Sequence, residues 1–279
     1  MLRASLLLAV SLMAMSAVRA EELSAPPNRT TAAPEAPATE SQRFARDRLM
    51  EMARFLGKTD RFSASLRIAY DVVQDDGQKI EFGETRELAV QRPDRIRIVA
   101  TSSDGDHNSM LFDGRFITIS DDAAKVYAQA PQPGDIDATV VHFVRDLQMR
   151  LPLAPLLMAK SADELQRRVR SIDYVEHTDI LGEPAHHIAA RTANVDFQVW
   201  IADDKQPLPL RIVMNYPTAE GQPQFRADFS DWDLSPRFGK KAFKFKPADD
   251  AKRILFAVQL LPAASSPPSG ERANQGAKP

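Results

Sequence analysis

VDFQVWIADDKQPLPLRIVMNY occupies residues 195–216. Val195, Phe197, Val199 and Ile201 fall on every second position, alternating with polar residues or Trp200. After a polar turn and two prolines, Leu208, Leu210, Ile212, Met214 and Tyr216 repeat the pattern. A period of two sends alternate side chains to opposite faces of a strand. The stretch therefore reads as two strands with one dry face and one wet face, and the dry face needs cover.

The same alternation extends outward in both directions. Phe62, Ala64, Leu66, Ile68, Tyr70 and Val72 share one face of a long strand, and Asp75–Gly77 turns it back. Ile80, Phe82, Leu88 and Val90 mark a second strand, and Ile96 and Ile98 a third. Further strands are read around Met110 and Phe112, at 116–120, 125–129, 171–177, 185–191, 225–232 and 242–246. Helical spacing occurs only in three places: 42–57, from Ile136 to about Leu151 with Pro152 and Pro155 interrupting it, and "SADELQRRV" from Ser161. A twisted meander of about eleven strands curls. The expected architecture is mainly β (α+β), an open antiparallel half-barrel with helices covering the concave face.

Length and composition bound the rest. The chain has 279 residues, 43% hydrophobic, enough for one large domain or two small ones. Net charge is −2, so nucleic acid is not an expected partner. There is no cysteine, which removes disulfides, thiol chemistry, zinc–thiolate sites and lipidation at cysteine. Residues 1–20 read as a signal peptide: a basic start, an apolar run from Leu6 to Met15, and Val18-Arg19-Ala20 before the cut. That run is short for a membrane span, so the mature chain is expected in the periplasm and not across a membrane. Residues 21–41 read as a disordered Pro/Ala-rich linker, 42–262 as the folded domain and 263–279 as a disordered tail.

Three stretches, with "GEPAHHIAA" (182–190) before them, carry a resemblance: the opening run, "GQPQFRADFSDWDLSP" (221–236) and "FKFKPADDAKRI" (243–254). Trp200, Asp203, Asp204, Leu208-Pro209 and the F-x-F-x-P of Phe243, Phe245 and Pro247 are its most specific elements. They resemble a family of predicted periplasmic proteins in the superfamily of the lipoprotein carriers LolA and LolB and of LppX. The resemblance implies an open half-barrel closed by helices, whose best-known members hold acyl chains. It implies a lipid, or the acyl chain of a lipoprotein, as ligand, and a protein of the inner or outer membrane as partner. Under that reading the cleft is lined by Leu66, Ile68, Phe82, Ile96, Ile98, Phe143, Leu147, Phe197, Val199, Leu210, Ile212 and Phe229.

Two charges interrupt the dry face. Alternation from Ile80 and Phe82 places Glu84 and Arg86 inward unless a bulge at Gly83 shifts the register. They are candidates for a polar rim holding a ligand headgroup or ester. Elsewhere the chemistry is sparse. His186-His187 point to opposite faces and cannot chelate one ion together, and "DGDHNS" from Asp104 lacks the glycine and glutamate of a calcium loop. No hydrolase, zinc-protease or P-loop motif is present, so the chain is read as a non-enzyme without cofactor or metal. Besides the carrier, two readings stay open. One is an envelope sensory module that binds a protein partner. The other is a structural adaptor without ligand.

Overall fold

The computed structural model describes residues 38–256, apart from residues 148 and 150. The expected signal peptide, nearly all of the linker and the 263–279 tail lie outside these residues. Helix α1 (Glu40–Lys58) begins two residues before the expected boundary of 42. Thr39 and Gln42 explain the early start. The Thr39 side chain accepts the Gln42 N–H at 3.2 Å, and the Gln42 side chain accepts the Thr39 N–H at 3.0 Å, a capping box. Ala45, Leu49, Met52, Ala53 and Leu56 then form the buried stripe.

Twelve strands follow in one unclosed sheet. They are β1 (Arg61–Val73), β2 (Lys79–Gln91), β3 (Arg95–Ser102), β4 (His107–Phe112), β5 (Phe116–Asp121) and β6 (Val126–Pro131), then β7 (Ser171–Ile180), β8 (Glu183–Arg191), β9 (Asp196–Ala202), β10 (Pro209–Asn215), β11 (Gln224–Asp233) and β12 (Lys252–Ile254). Their spatial order is β12-β6-β5-β4-β3-β2-β1-β11-β10-β9-β8-β7. Two six-strand wings thus meet at the long β1 strand. Between the wings the chain forms α2 (Ile136–Val141), a π-helical turn (His142–Asp146), α3 (Ala154–Leu157) and α4 (Ser161–Arg168).

The fold class is the expected one, mainly β and unclosed with few helices. Three details differ. The segment 242–246 is a turn and irregular chain. Its phenylalanines pack one by one, Phe243 edge-on against Phe238 and Phe245 against Tyr127, so their alternation reflects two separate contacts. The last strand is instead Lys252–Ile254, and it pairs parallel with β6 in an otherwise antiparallel sheet. The helix expected over 136–151 widens into a π-turn at His142 and ends at Leu147.

Register fixes the faces. Phe62 pairs with Val90 and Val90 with Ile96; Leu66 pairs with Phe229, and Ile212 with both Ala227 and Val199. Directly paired residues share a face, so one continuous apolar face runs across both wings. The helical segments cover it. The close fit of α1 depends on Gly57, where a Cβ would stand 2.5 Å from the Ala159 carbonyl oxygen.

Candidate functional site

The gap between the helical cover and the sheet is the site the fold builds. Leu56 of α1, Leu151, Leu153, Leu156 and Leu157 form its roof. Phe62, Leu66, Arg86, Leu88, Ile98, Phe229 and Trp232 form its floor and walls. The cavity is apolar except for Arg86 and holds about 30 Å³. That is room for about one water molecule.

The roof is anchored at one end. Arg92, in the β2–β3 connection, donates from Nη1 to the Leu157 carbonyl at 2.8 Å, from Nε to Thr59 at 3.2 Å and from Nη2 to Leu56 at 3.3 Å. It thereby ties the end of α1, where Leu56 also accepts the Thr59 N–H, to a carbonyl at the end of α3. Burial pulls its pKa below the ordinary arginine value, opposed by Asp137 and Asp60. Asp137 adds a second tie, accepting the backbone N–H groups of Ala159 at 2.6 Å and Lys160 at 3.1 Å.

Strand β2 pairs with β1 without a break from Lys79 to Gln91, so Gly83 carries no bulge. Glu84 and Arg86 therefore face the cover, as alternation demands. They bind each other: Arg86 Nε donates to Glu84 Oε1 at 2.7 Å and Nη2 makes a second contact with the same oxygen. The Glu84 side chain is 2% exposed and that of Arg86 18%. Across the sheet, Arg86 pairs with Ala100 and Ala100 with Asn108, whose Oδ1 is buried without a partner. A polar strip thus lies beside the apolar gap.

The expected lining residues divide. Leu66, Ile98 and Phe229 line the cavity, and Arg86 joins them. Ile68, Ile96, Phe143, Leu147, Val199 and Ile212 are buried in the same core but do not reach the gap, and Phe197 is half-buried against it. Phe82 is half-buried and stacks on Tyr70 toward the turn of the β1–β2 hairpin. Leu210 leaves the face altogether. Pro209 pairs with Ile201 and Arg211 with Trp200, so Leu210 is the extra residue of a bulge. Pro209 has no N–H to continue the ladder, and its carbonyl accepts Trp232 Nε1 at 3.3 Å.

Trp232 was not among the expected lining residues. A bulge in β11 opposite Ser63–Ser65, with Asp231 at φ +53°, turns its indole inward. There it stacks on Phe229 at 5.7 Å and leans on Phe62 at 5.8 Å. The signal was a change of parity: Phe225, Ala227 and Phe229 are odd, whereas Trp232 is even. Leu151 closes the helical period read from Ile136, whereas Leu153, Leu156 and Leu157 follow Pro152 and flank Pro155, which leave no period to place them in the lining.

The paired histidines do point to opposite faces, but both are enclosed. His186 lies 3.1 Å from the Tyr174 hydroxyl and 3.2 Å from Asp203. His187 stacks on Trp200 at 4.0 Å and hydrogen-bonds Gln198 at 3.0 Å. Asp203 also binds His177 at 2.9 Å, and chiefly that bond holds its carboxyl below the usual range. Among the described residues, no group of three or more His, Cys, Asp or Glu is placed to hold a metal. Asp104-Gly105 form the tight β3–β4 turn.

Fold and site together define an unclosed, mainly antiparallel sheet with a helical lid over its apolar face. The chain belongs to the family described as predicted periplasmic protein (DUF2092), which matches residues 45–257. No curated protein matches the chain. Several solved structures are similar. The lipoprotein LppX of Mycobacterium tuberculosis is 14% identical, with 71% of this chain and 99% of that chain covered, at a TM-score of 0.43. A LolA superfamily protein of Nitrosomonas europaea is 13% identical, with 72% and 97% covered, at 0.39. The MucA/MucB complex of Pseudomonas aeruginosa gives 17% identity, 73% and 61% coverage, and 0.41. Nothing about ligand or partner rests on these likenesses. Among the described residues no helix is long and apolar enough to cross a membrane.

Proposed function

We propose that this protein, exported by a leader cut after Ala20, binds an acyl chain of a lipid or lipoprotein between sheet and lid. The observation that carries this reading is the pairing of an apolar gap with one inward guanidinium, Arg86, already held by a buried carboxylate. Apolar walls accept a chain at about 25 cal/mol per Å² of surface removed from water, and a placed polar group fixes its orientation. A gap of about 30 Å³ is too small to hold an acyl chain as it stands. Entry of a chain requires the roof to lift. Arg92 and Asp137 hold the roof at the 157–160 end, which leaves its other end, Leu151 to Leu153, as the part that lifts. Titration of the refolded, lipid-free protein with a fluorescent fatty-acid probe tests the reading. Saturable uptake, abolished by Leu156→Trp in a variant with an unchanged circular dichroism spectrum, is the expected result. A folded parent that takes up no probe overturns it.

The size of the gap also favours a second reading, an envelope module that binds a protein partner. Among the described residues, the outer strand β7 is unpaired on one side, and it carries the exposed Val175 and, in the turn beyond it, Leu181. Such a strand is a template for a partner's strand. An empty gap together with a captured partner is the outcome this reading requires.

A further inference from the structure

The outward face of the sheet carries a second hollow, unrelated to the lid. It measures about 390 Å³ and lies over β11, β1, β2 and the end of β3. Its floor is the cross-strand pair Ala69–Gly83. These two small residues open a gap between the longer side chains of Arg67, Glu81 and Arg226. A Cβ at Gly83 would meet nothing closer than the Ile68 carbonyl oxygen, at 3.7 Å.

The charges around the hollow are arranged unevenly. Arg226 pairs directly with Ala69, and Arg67 is its diagonal neighbour through Asp228. Asp228 is already taken, because Arg211 Nε donates to its Oδ1. Glu81 stands at the opposite side, two positions along β2 from Gly83. Its cross-strand neighbour Asp71 is likewise engaged, accepting the Gln224 N–H at 3.0 Å and lying 3.7 Å from Lys79. Among the described residues, Arg67, Arg226 and Glu81 make no ion pair or side-chain hydrogen bond. Three uncommitted charges, two positive and one negative, thus surround one hollow while the charges beside them are paired.

The geometry points to a binding site for a zwitterion that carries a phosphate and a primary amine, with phosphate at Arg67 and Arg226 and ammonium at Glu81. Two guanidinium forks converging from neighbouring strands suit the tetrahedrally spread oxygens and higher charge of a phosphate better than the single plane of a carboxylate. Thr85, Thr101 and Ser103 add hydroxyls at the rim. A volume of 390 Å³ equals about 13 water molecules at ~30 Å³ each, the scale of a headgroup with a few waters. The site is independent of the acyl gap, since it lies on the other face of the sheet.

Calorimetry of the full chain at low salt tests the assignment, with O-phosphoethanolamine, inorganic phosphate and ethanolamine as probes. Saturable binding of phosphoethanolamine is expected. It should weaken about tenfold or more in Arg67→Gln and in Arg226→Gln, the loss of a charge-assisted hydrogen bond. Glu81→Gln should bind phosphate as the parent does and lose its preference for phosphoethanolamine. Sedimentation with phosphatidylethanolamine vesicles separates the two sources. Vesicle binding lost in Arg67→Gln assigns a lipid headgroup, and soluble binding alone assigns a free small molecule. Absence of saturable binding, binding indifferent to both arginine variants, or equal affinity for phosphate and phosphoethanolamine in the parent overturns the proposal.

Discussion

Glu84–Arg86 and Arg211–Asp228 are both carboxylate–guanidinium pairs on one sheet, but the first faces the lid and the second faces outward. The outward pair joins directly opposed residues of β10 and β11, and Arg211 also lies over the Trp200 ring at 5.9 Å. Its side chains are 26% and 18% exposed, so water shares the work of solvating both charges. The inward pair has less such help, and only at Arg86, which is 18% exposed. Its carboxylate is 2% exposed and its guanidinium borders a leucine-rich gap. Desolvating two ions costs several kcal/mol each, and their attraction rarely does better than offset it. The outward pair is thus explained as ordinary sheet chemistry. The inward pair is not explained by stability, which is why a ligand-directed role fits it.

The sharpest way to break this contrast is to remove one partner inside. Glu84→Ala leaves the Arg86 guanidinium beside Leu66, Leu88 and Ile98 without its counter-charge, and should cost about 3–5 kcal/mol, read from the urea midpoint. Glu84→Leu with Arg86→Met removes both charges at similar volume. That double variant should regain the parent's stability or exceed it, yet lose affinity for the fatty-acid probe. A double variant that unfolds would make the pair structural after all.

Outside, Asp228→Asn should cost only about 0.2–1 kcal/mol, because Arg211 can turn to water. A loss as large as that of Glu84→Ala would erase the difference between the faces.

The smallest effect is expected at a third pair, Arg145–Asp146 in the π-turn, whose side chains are 52% and 39% exposed. The hydrogen bond from Arg145 is the main cause, aided by His142 and opposed by slight burial, that holds the Asp146 carboxyl at about 2 instead of 3.8. The folded state favours the ionised form, so the contribution is complete above about pH 4 and fades as pH falls toward 2. Solvent screening keeps it small. The melting temperatures of parent and Asp146→Asn should converge over that interval. A gap that widens on acidification would reverse the sign.

Much of this contrast was legible in the alternation of residues. The inward course of Glu84 and Arg86 follows from Ile80, Phe82, Leu88 and Val90 alone, because a period of two admits no other face without a bulge. The failures have one physical origin. Alternation records which side of a strand is apolar, and it says nothing where the backbone inserts a residue. Leu210 and Trp232 exchange roles for that reason: a bulge moves the first out of the expected lining and another brings the second in. The roof leucines between Pro152 and Leu157 have no period to read. Arg92 was invisible as well, since the carbonyls it binds belong to helix ends that only the folded chain brings together.

The parallel pairing of β12 with β6 also sets where the chain leaves the sheet. Near the other end, Gln42 hydrogen-bonds Asp173 of β7 at 3.1 Å, so the start of α1 sits by the opposite border. The chain thus enters and leaves the folded body across the full width of twelve strands, about 50 Å along the sheet at ~4.8 Å per step. Tension applied between Glu40 and Ile254 would pull across the rungs, with the three-residue β12 at one border. A tether on one flank and a partner on the other would make the domain a yoke whose weakest link is its last strand.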